Sequence, residues 1–498
     1  AAVGVRTEWR ILHGLLLLCG YRQNAQRTVP ACAKGEIIPK LRNTNYGLLR
    51  VWALGNNHLL QRRLSSMGEI IEPRVLKGFR DILPAAELKR ASMMHALSAA
   101  FESFGFVPID TPVLEYAEIL LGKAGGETEK QVYRFADAGG RDVAMRFDLT
   151  VPFARFMAEH VGELYLPFKR YHMAKVWRGE NTQRGRYREF MQCDFDQVGV
   201  DSAAADFEIL AVICTATEAL GVKDSSVHLN HRGVFNRFLT RLGIADKSVE
   251  VLRVVDKLHK IGADATKSQL AALAGSSAAD EVLAYIEGIS NFDACLNHIT
   301  MLSGGANPDS DRLRALGDMA DACGLSSRVK LVPSITRGLD YYTGVVYETF
   351  LDAMPDIGSV CSGGRYNDLA SLYTKQKLPG VGASVGLDRL FAALEALGRA
   401  EGREGCLDVL VAHVDDGLEA EYQAAAAAIR SSGFSCEAFP ERRKLGQQFA
   451  HAERKGARWA VMRGGNEKAR SVWILRDLSN RTDTEFTDIA SMARSLTR

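Results

Sequence analysis

The 498-residue sequence holds nine cysteines but no Cys-x-x-Cys pair. They stand singly at Cys19, Cys32, Cys193, Cys214, Cys295, Cys323, Cys361, Cys406 and Cys436, so neither a zinc ribbon nor a disulfide framework is indicated. His228 and His231 come nearest to a metal pair, but no third ligand is close in sequence, and no metal site is read from the chain. Long hydrophobic runs are missing as well. Leu15 to Leu18 is far short of the roughly 20 apolar residues that a membrane-spanning helix needs, and no later segment approaches that length. A net charge of +2 says little about partners, because local distribution decides them. What the chain does have is length: 498 residues exceed one compact core, so two or three domains are expected.

Acid is scarce in residues 1–66, where ten Lys or Arg residues face only Glu8 and Glu36. That bias reads as a mitochondrial transit peptide. The first methionine is Met67, so the same stretch reads equally as translated sequence upstream of the mature protein. Disorder is expected in either case. From Gly78 the pattern becomes globular. Gly78-Phe79-Arg80-Asp81-Ile82-Leu83-Pro84 is a turn-rich opening, and Ala85 to Phe104 carries apolar residues at helical spacing. Phe106 to Glu115 reads as a strand, since Pro108 and Pro112 bias their predecessors away from helix. Further strands are expected over Val143–Phe147, Phe168–Trp177, Asp194–Val200, Val329–Leu331, Val345–Phe350 and Val381–Gly386, with helices between. This predicts an α+β domain on a mainly antiparallel sheet. Residues 225–325 read as a helical insertion. A polar linker, Glu401 to Gly405, precedes strand–helix alternation over 406–498, a separate α/β domain of common size.

Chemistry concentrates in a few segments. Arg337-Gly338-Leu339-Asp340-Tyr341-Tyr342-Thr343-Gly344 sets a fixed cation and a carboxylate beside two aromatic faces, which suits an anionic, planar ligand. Alone it is equally a salt-bridged strand end. Phe168 to Glu180 and Arg186 to Gln192 read as a hairpin that brings Arg178, Glu180 and Gln192 to one face, and alternation adds Asp194 and Asp196 to the face of Gln192. In the last domain Arg442, Arg443, Lys444, Lys455, Arg458 and Arg463 surround Phe449 and Trp459, a pattern suited to phosphate contact and base stacking.

These segments carry a resemblance. Phe168 to Glu180 with Arg186-Tyr-Arg-Glu-Phe resembles motif 2 of class II aminoacyl-tRNA synthetases, Gly382 to Leu390 resembles motif 3, and Phe106 to Glu115 around Pro112 resembles motif 1. The octet at Arg337 and Cys361-Ser-Gly-Gly-Arg-Tyr-Asn-Asp-Leu369 are similar to the two histidine signatures of the histidyl-tRNA synthetase family, in the right order. The resemblance covers about Gly78 to the C-terminus. It implies a class II catalytic domain over 67–400, an anticodon-binding domain over 406–498, and two-step charging of tRNA(His) with L-histidine through a histidyl adenylate. Arg178 is implied to hold the ATP α-phosphate and the histidine carboxylate, Arg389 the γ-phosphate, and Glu180 and Arg186 the rest of ATP. Asp148, Leu149 and Thr150 are implied to bind the α-amino group, and Gln192 the carboxylate and reacting phosphate. Asp196 and Tyr342 would bond the two imidazole nitrogens, with Tyr341 lining the pocket. Arg337 would meet the α-phosphate where related synthetases rely on a metal. Mg²⁺ is implied mainly on the ATP phosphates. The tRNA contacts are implied to fall on Arg442, Arg443, Lys444 and Lys455. Motif 1 implies a homodimer; the lack of a long apolar run predicts no membrane span, and the expected location is the cytoplasm, and also mitochondria if residues 1–66 are a transit peptide. Phe147-Asp148 and Arg178-Gly179-Glu180 depart from the bacterial pattern toward the eukaryotic branch. A synthetase-like regulatory subunit or RNA-sensing module is the alternative; the first would lack the anticodon-binding domain and have eroded arginines.

Overall fold

The computed structural model describes residues 71–122, 129–335, 341–400, 402, 403 and 405–497, apart from the side chains of 259 and 260. Arg337 therefore lies outside the described residues, as do 1–66, Glu401 and Glu404.

Helix α1 (Pro84–Ser103) opens with Pro84, whose missing N–H has no partner to lose at a helix start, and turns Met93, Leu97 and Phe101 into the core. The main sheet has eight strands in the order β1-β5-β6-β11-β10-β9-β7-β8. They are β1 (Val107–Pro108), β5 (Phe168–Trp177), β6 (Glu189–Val198), β7 (Ser225–His231), β8 (Val329–Leu331), β9 (Val345–Leu351), β10 (Cys361–Arg365) and β11 (Gly380–Gly386). Only the outer pairs β1–β5 and β7–β8 are parallel, so the sheet is mainly antiparallel. A second sheet joins β2 (Leu114–Tyr116), β3 (Arg134–Ala136) and β4 (Asp142–Met145). Helices α2 (Thr150–His160), α3 (Ala203–Ala219) and α4 (Leu387–Ala396) pack around them. Apolar side chains of α1, α3, α4 and the insertion share one core with the back of the main sheet.

Two expectations need correction. The stretch Phe106–Glu115 is not one strand but β1 and β2 in different sheets, because Pro108 and Pro112 each remove a ladder donor. Residues 225–325 are not helical throughout. They open with β7, inside the main sheet, and become helical from Arg232.

The last domain holds a five-stranded sheet, β13-β12-β14-β15-β16: β12 (Val409–Val411), β13 (Cys436–Ala438), β14 (Trp459–Met462), β15 (Trp473–Asp477) and β16 (Thr482–Phe486). Helices α5 (Glu419–Ser431), α6 (Leu445–Arg454) and α7 (Ile489–Ser495) cover it. Gln448 of α6 is fully buried; its amide accepts from His413 N at 2.9 Å and donates to His413 O and Arg443 O, both at 2.8 Å. Among the described residues, no helix is long and apolar enough to cross a membrane.

Candidate active site

Register across the main sheet lines up polar residues that lie far apart in sequence. From β5 to β8, one row runs His172, Asp194, Ser384, Ser362, Glu348, His228, Lys330. The neighbouring row runs Arg170, Asp196, Gly382, Gly364, Val346. Side chains directly opposite on adjacent strands share a face, so both rows present their chemistry together. Above them opens a cavity of about 940 Å³ lined by Asp148, Thr150, Arg178, Glu180, Arg186, Gln192, Asp196, Tyr341, Tyr342 and Arg389. That volume is at the upper end of ordinary ligand pockets.

One end of the cavity is acidic and aromatic. Asp148 is buried before α2; its Oδ1 accepts from Val151 N at 3.1 Å, and its Oδ2 accepts from the Tyr341 hydroxyl at 3.2 Å. Burial pushes its carboxyl above the usual range, against the pull of that amide and of Arg178. Tyr341 and Tyr342 meet edge to face with ring centres 5.1 Å apart, and Tyr366 packs edge-on to Tyr341 at 6.0 Å. Asp196 is gripped from both sides. The Tyr366 hydroxyl donates to Oδ1 at 2.5 Å, and Arg170 Nη2 lies 2.7 Å from Oδ2. Arg170 is wholly buried and stacks on Phe153 at 4.3 Å, so its charge has to be matched locally. Beside this pair Asp194 is held up to about 7, first by burial.

The other end is cationic. Arg178 donates Nε to Phe147 O at 2.8 Å, and its guanidinium stands 5.1 Å from the centre of the Phe190 ring. Arg186 lies 3.5 Å from Glu180. Arg389, near the start of α4, donates Nη1 to Ser359 O at 2.5 Å. Burial, then the charge of Arg186, pulls the Arg389 guanidinium down to about 10, so it stays charged at neutral pH but is under-compensated. A site with that imbalance favours an incoming polyanion. Gln192 bridges the two ends, donating Nε2 to Ser384 Oγ at 3.0 Å while its buried Oε1 has no hydrogen-bond partner.

Leu149 does not line this cavity, unlike its neighbours. Its side chain is fully buried and its carbonyl accepts from Arg170 at 3.3 Å, as the residue preceding α2 must turn inward for Asp148 and Thr150 to face out. Residues that sequence reasoning left without a role are Arg170, Phe190, Tyr366 and Ser384. Tyr366 had a signal, its place in the second signature.

On the last domain the basic residues are interleaved with acids. Arg442 lies 3.4 Å from both Asp415 and Asp416, Arg443 donates Nε to Glu441 at 2.6 Å, and Lys455 pairs with Glu437. Lys444 is exposed before α6. Phe449 and Trp459 are each half-buried, and the Arg458 guanidinium lies 4.7 Å from the centre of the Trp459 ring. Phe449 packs into a small core with Arg476 over its ring at 5.2 Å, and Trp459 packs against the sheet's core and donates Nε1 to Thr497 O at 3.0 Å.

A family profile described as histidyl-tRNA synthetase matches residues 78–390, and one described as an anticodon binding domain matches 408–495. The histidine–tRNA ligase of Treponema denticola is 51% identical over 434 residues, 84% of this chain and 97% of that protein. This chain belongs to the histidyl-tRNA synthetase family. The Rhodopirellula baltica member is 50% identical over 80% of this chain and 91% of its own length. A crystal structure of histidyl-tRNA synthetase from a Nostoc species superposes with TM-score 0.76 at 30% identity, covering 85% of this chain and 99% of that one. A Bacillus halodurans structure described as an ATP phosphoribosyltransferase regulatory subunit/histidyl-tRNA synthetase shares the fold at TM-score 0.66 and 20% identity, with 79% and 99% covered. These relatives are bacterial, so the Phe147-Asp148 and Arg178-Gly179-Glu180 departures do not assign the chain to the eukaryotic branch. Residues 1–66 fall outside both profile matches.

Proposed function

We propose that the chain is a histidine–tRNA ligase, joining L-histidine to ATP as histidyl adenylate and passing the histidyl group to the 3′ end of tRNA(His). The carrying observation is that one cavity gathers an acidic, tyrosine-rich end and an under-compensated arginine end, with Gln192 between them.

Asp148 and Thr150 receive the α-ammonium, a three-donor cation matched by a carboxylate and a hydroxyl. Asp196 and Tyr342 take the two imidazole nitrogens. Arg178 and Gln192 hold the carboxylate against the α-phosphorus, Arg337 adds a second guanidinium there, and Arg389 draws the γ-phosphate of a bent ATP. Phe190, under Arg178, and Glu180 suit the adenine side, while Arg186 stands with Arg389 on the phosphate side. Charge developing on the α-phosphate meets fixed cations, which need no reorganisation in the transition state. Among the described residues no group of three cavity acids or imidazoles clusters as a metal cage. That donor set fits magnesium held mainly by phosphate oxygens and water, where it would neutralise phosphate charge. The histidine carboxylate attacks the α-phosphorus and pyrophosphate leaves; the terminal adenosine hydroxyl of tRNA then attacks the activated carbonyl, the acyl–phosphate bond breaks, and AMP and the hydroxyl proton are released.

The regulatory reading is disfavoured because the cationic end keeps Arg178 and Arg389, and an anticodon-binding domain follows. Binding of tRNA falls to Arg442, Arg443, Lys444 and Lys455; exposed ion pairs of their kind are worth about 0–1 kcal/mol and exchange readily for phosphate. A homodimer through the motif 1-like strand is supported by the exposed apolar residues Val113, Leu114, Tyr116 and Phe135 on or beside the small sheet. The test is ATP–pyrophosphate exchange: histidine alone among the amino acids should support it, and Arg337→Ala should lose several orders of magnitude with folding intact. Exchange with another amino acid, or none with histidine, would overturn the reading.

A further inference from the structure

The segment just before α1 lies across the loop that joins β5 to β6. Arg188 donates its backbone N–H to Gly78 O at 2.8 Å and Nη1 to Lys77 O at 3.4 Å, while its Nε donates to Glu180 O at 3.2 Å. Gly78 has φ +89°, and a Cβ there would stand 2.7 Å from Arg188 Cγ and Cδ, so only glycine lets the two segments approach this closely. Arg80 ties the segment to a third element. Its guanidinium lies 3.9 Å from the centre of the Tyr187 ring, Nη1 donates to the Tyr187 hydroxyl at 3.0 Å, and Nη2 donates to Asp388 Oδ1 at 2.6 Å. Asp388 is buried on α4 directly before Arg389; its Oδ2 accepts from Met191 N at 2.7 Å, and Arg90 lies 3.2 Å from Oδ1. One planar fork therefore joins the loop bearing Glu180 and Arg186 to the helix bearing Arg389.

We propose that Arg80 is a positioning residue for ATP, holding Arg186 and Arg389 at the separation that a bent triphosphate spans. Arg80 is not among the residues lining the cavity, so it acts through Tyr187 and Asp388. The physical need is plain. Arg186 and Arg389 carry like charges on separate elements and repel until phosphate arrives. A third cation would add to the repulsion were it not neutralised, and Asp388 neutralises it while anchoring it. Lysine replaces it only in part, because an ammonium lacks the planar face that lies on Tyr187 and the rigid fork that fixes the directions of two acceptors.

This inference rests on the ATP-activation reading, and one experiment separates the two. Histidine-dependent ATP–pyrophosphate exchange is measured for the wild type, Arg80→Gln, Arg80→Lys and Tyr187→Phe, each with separate titrations of ATP and histidine and a thermal melt. Arg80→Gln should raise KM for ATP about tenfold and lower kcat by a similar factor, with KM for histidine within about twofold, because only the ATP side loses its geometry. Arg80→Lys should recover less than half of that loss. Tyr187→Phe, which keeps the ring and removes one acceptor, should show a smaller change of the same kind. Unchanged ATP parameters in Arg80→Gln, or a fall in both substrates' affinities together with a lowered melting temperature, would overturn the proposal. Should Arg80→Gln not fold, Arg80→Lys and Tyr187→Phe decide on the same readouts. No exchange in the wild type would overturn the activation reading and this inference with it.

Discussion

Gly382 offers the sharpest test of how the amino-acid end is built. It stands opposite Asp196 across the β6–β11 ladder, and a Cβ added there would meet Asp196 Oδ1 at 2.0 Å, its Cγ at 2.4 Å and Phe195 O at 2.7 Å. Ordinary carbon–oxygen contact needs well over 3 Å, so Gly382→Ala must displace the carboxylate by more than about 1 Å. The carboxylate cannot yield freely, being held by Tyr366 at 2.5 Å and facing Arg170 at 2.7 Å. Overpacking costs about 1–3 kcal/mol, and weakening a charge-assisted hydrogen bond about 1.5–3 kcal/mol more. Urea unfolding should therefore show a loss of roughly 2.5–6 kcal/mol, the two costs taken together. In histidine-dependent exchange, KM for histidine should rise at least about a hundredfold, since a displaced carboxylate leaves one imidazole nitrogen unpaired. KM for ATP should stay within about twofold, because Arg178 and Arg389 line the other end. Tyr366→Phe is the companion without a clash: it releases one side of Asp196 and should move KM for histidine in the same direction by less. Gly382→Ala with KM for histidine within twofold and stability within about 0.5 kcal/mol of wild type would refute the assigned role of Asp196.

Two further outcomes follow from the same geometry. Asp194 has its carboxyl raised to about 7 from an ordinary 3.8, so the fold holds a proton that the unfolded chain releases; its stabilising contribution is complete below about pH 4 and is lost as pH rises through about 7. Asp194→Asn should flatten the decline in urea midpoint between pH 5.5 and 8, and an unaltered decline would show that this carboxyl does not titrate there. Arg443→Glu with Lys444→Glu should weaken tRNA binding and reduce the salt dependence of affinity, leaving histidine-dependent exchange intact; unchanged affinity in a filter-binding titration would move the tRNA surface elsewhere.

What the sequence made legible was whatever had a period. Strand β5 alternates buried and half-buried side chains over most of its length and was readable to the residue, and α1 follows the spacing of Met93, Leu97 and Phe101. Two strands that escaped reading, β7 and β10, are ones the cavity has altered. Strand β7, Ser225–His231, mixes serines and histidines because Ser226 and His228 face the cavity, and β10, Cys361–Arg365, carries paired glycines that argue against a strand on propensity alone. Those glycines are required: a Cβ on Gly363 would stand 2.3 Å from Gly382 O. Site chemistry and local propensity conflict there, and such conflict is expected where function is built. The same holds for the site residues. Motif spacing placed Arg178, Gln192, Asp196 and Arg389 because each belongs to a contiguous string. Arg170 and Arg80 remained silent, since a charged residue in a hairpin or a turn reads as solvated until its partner is known. Their partners, Asp196 and Asp388, are reached only by folding: Arg170 lies wholly buried against Asp196, and the half-buried Arg80 reaches the buried Asp388 across more than three hundred residues of sequence.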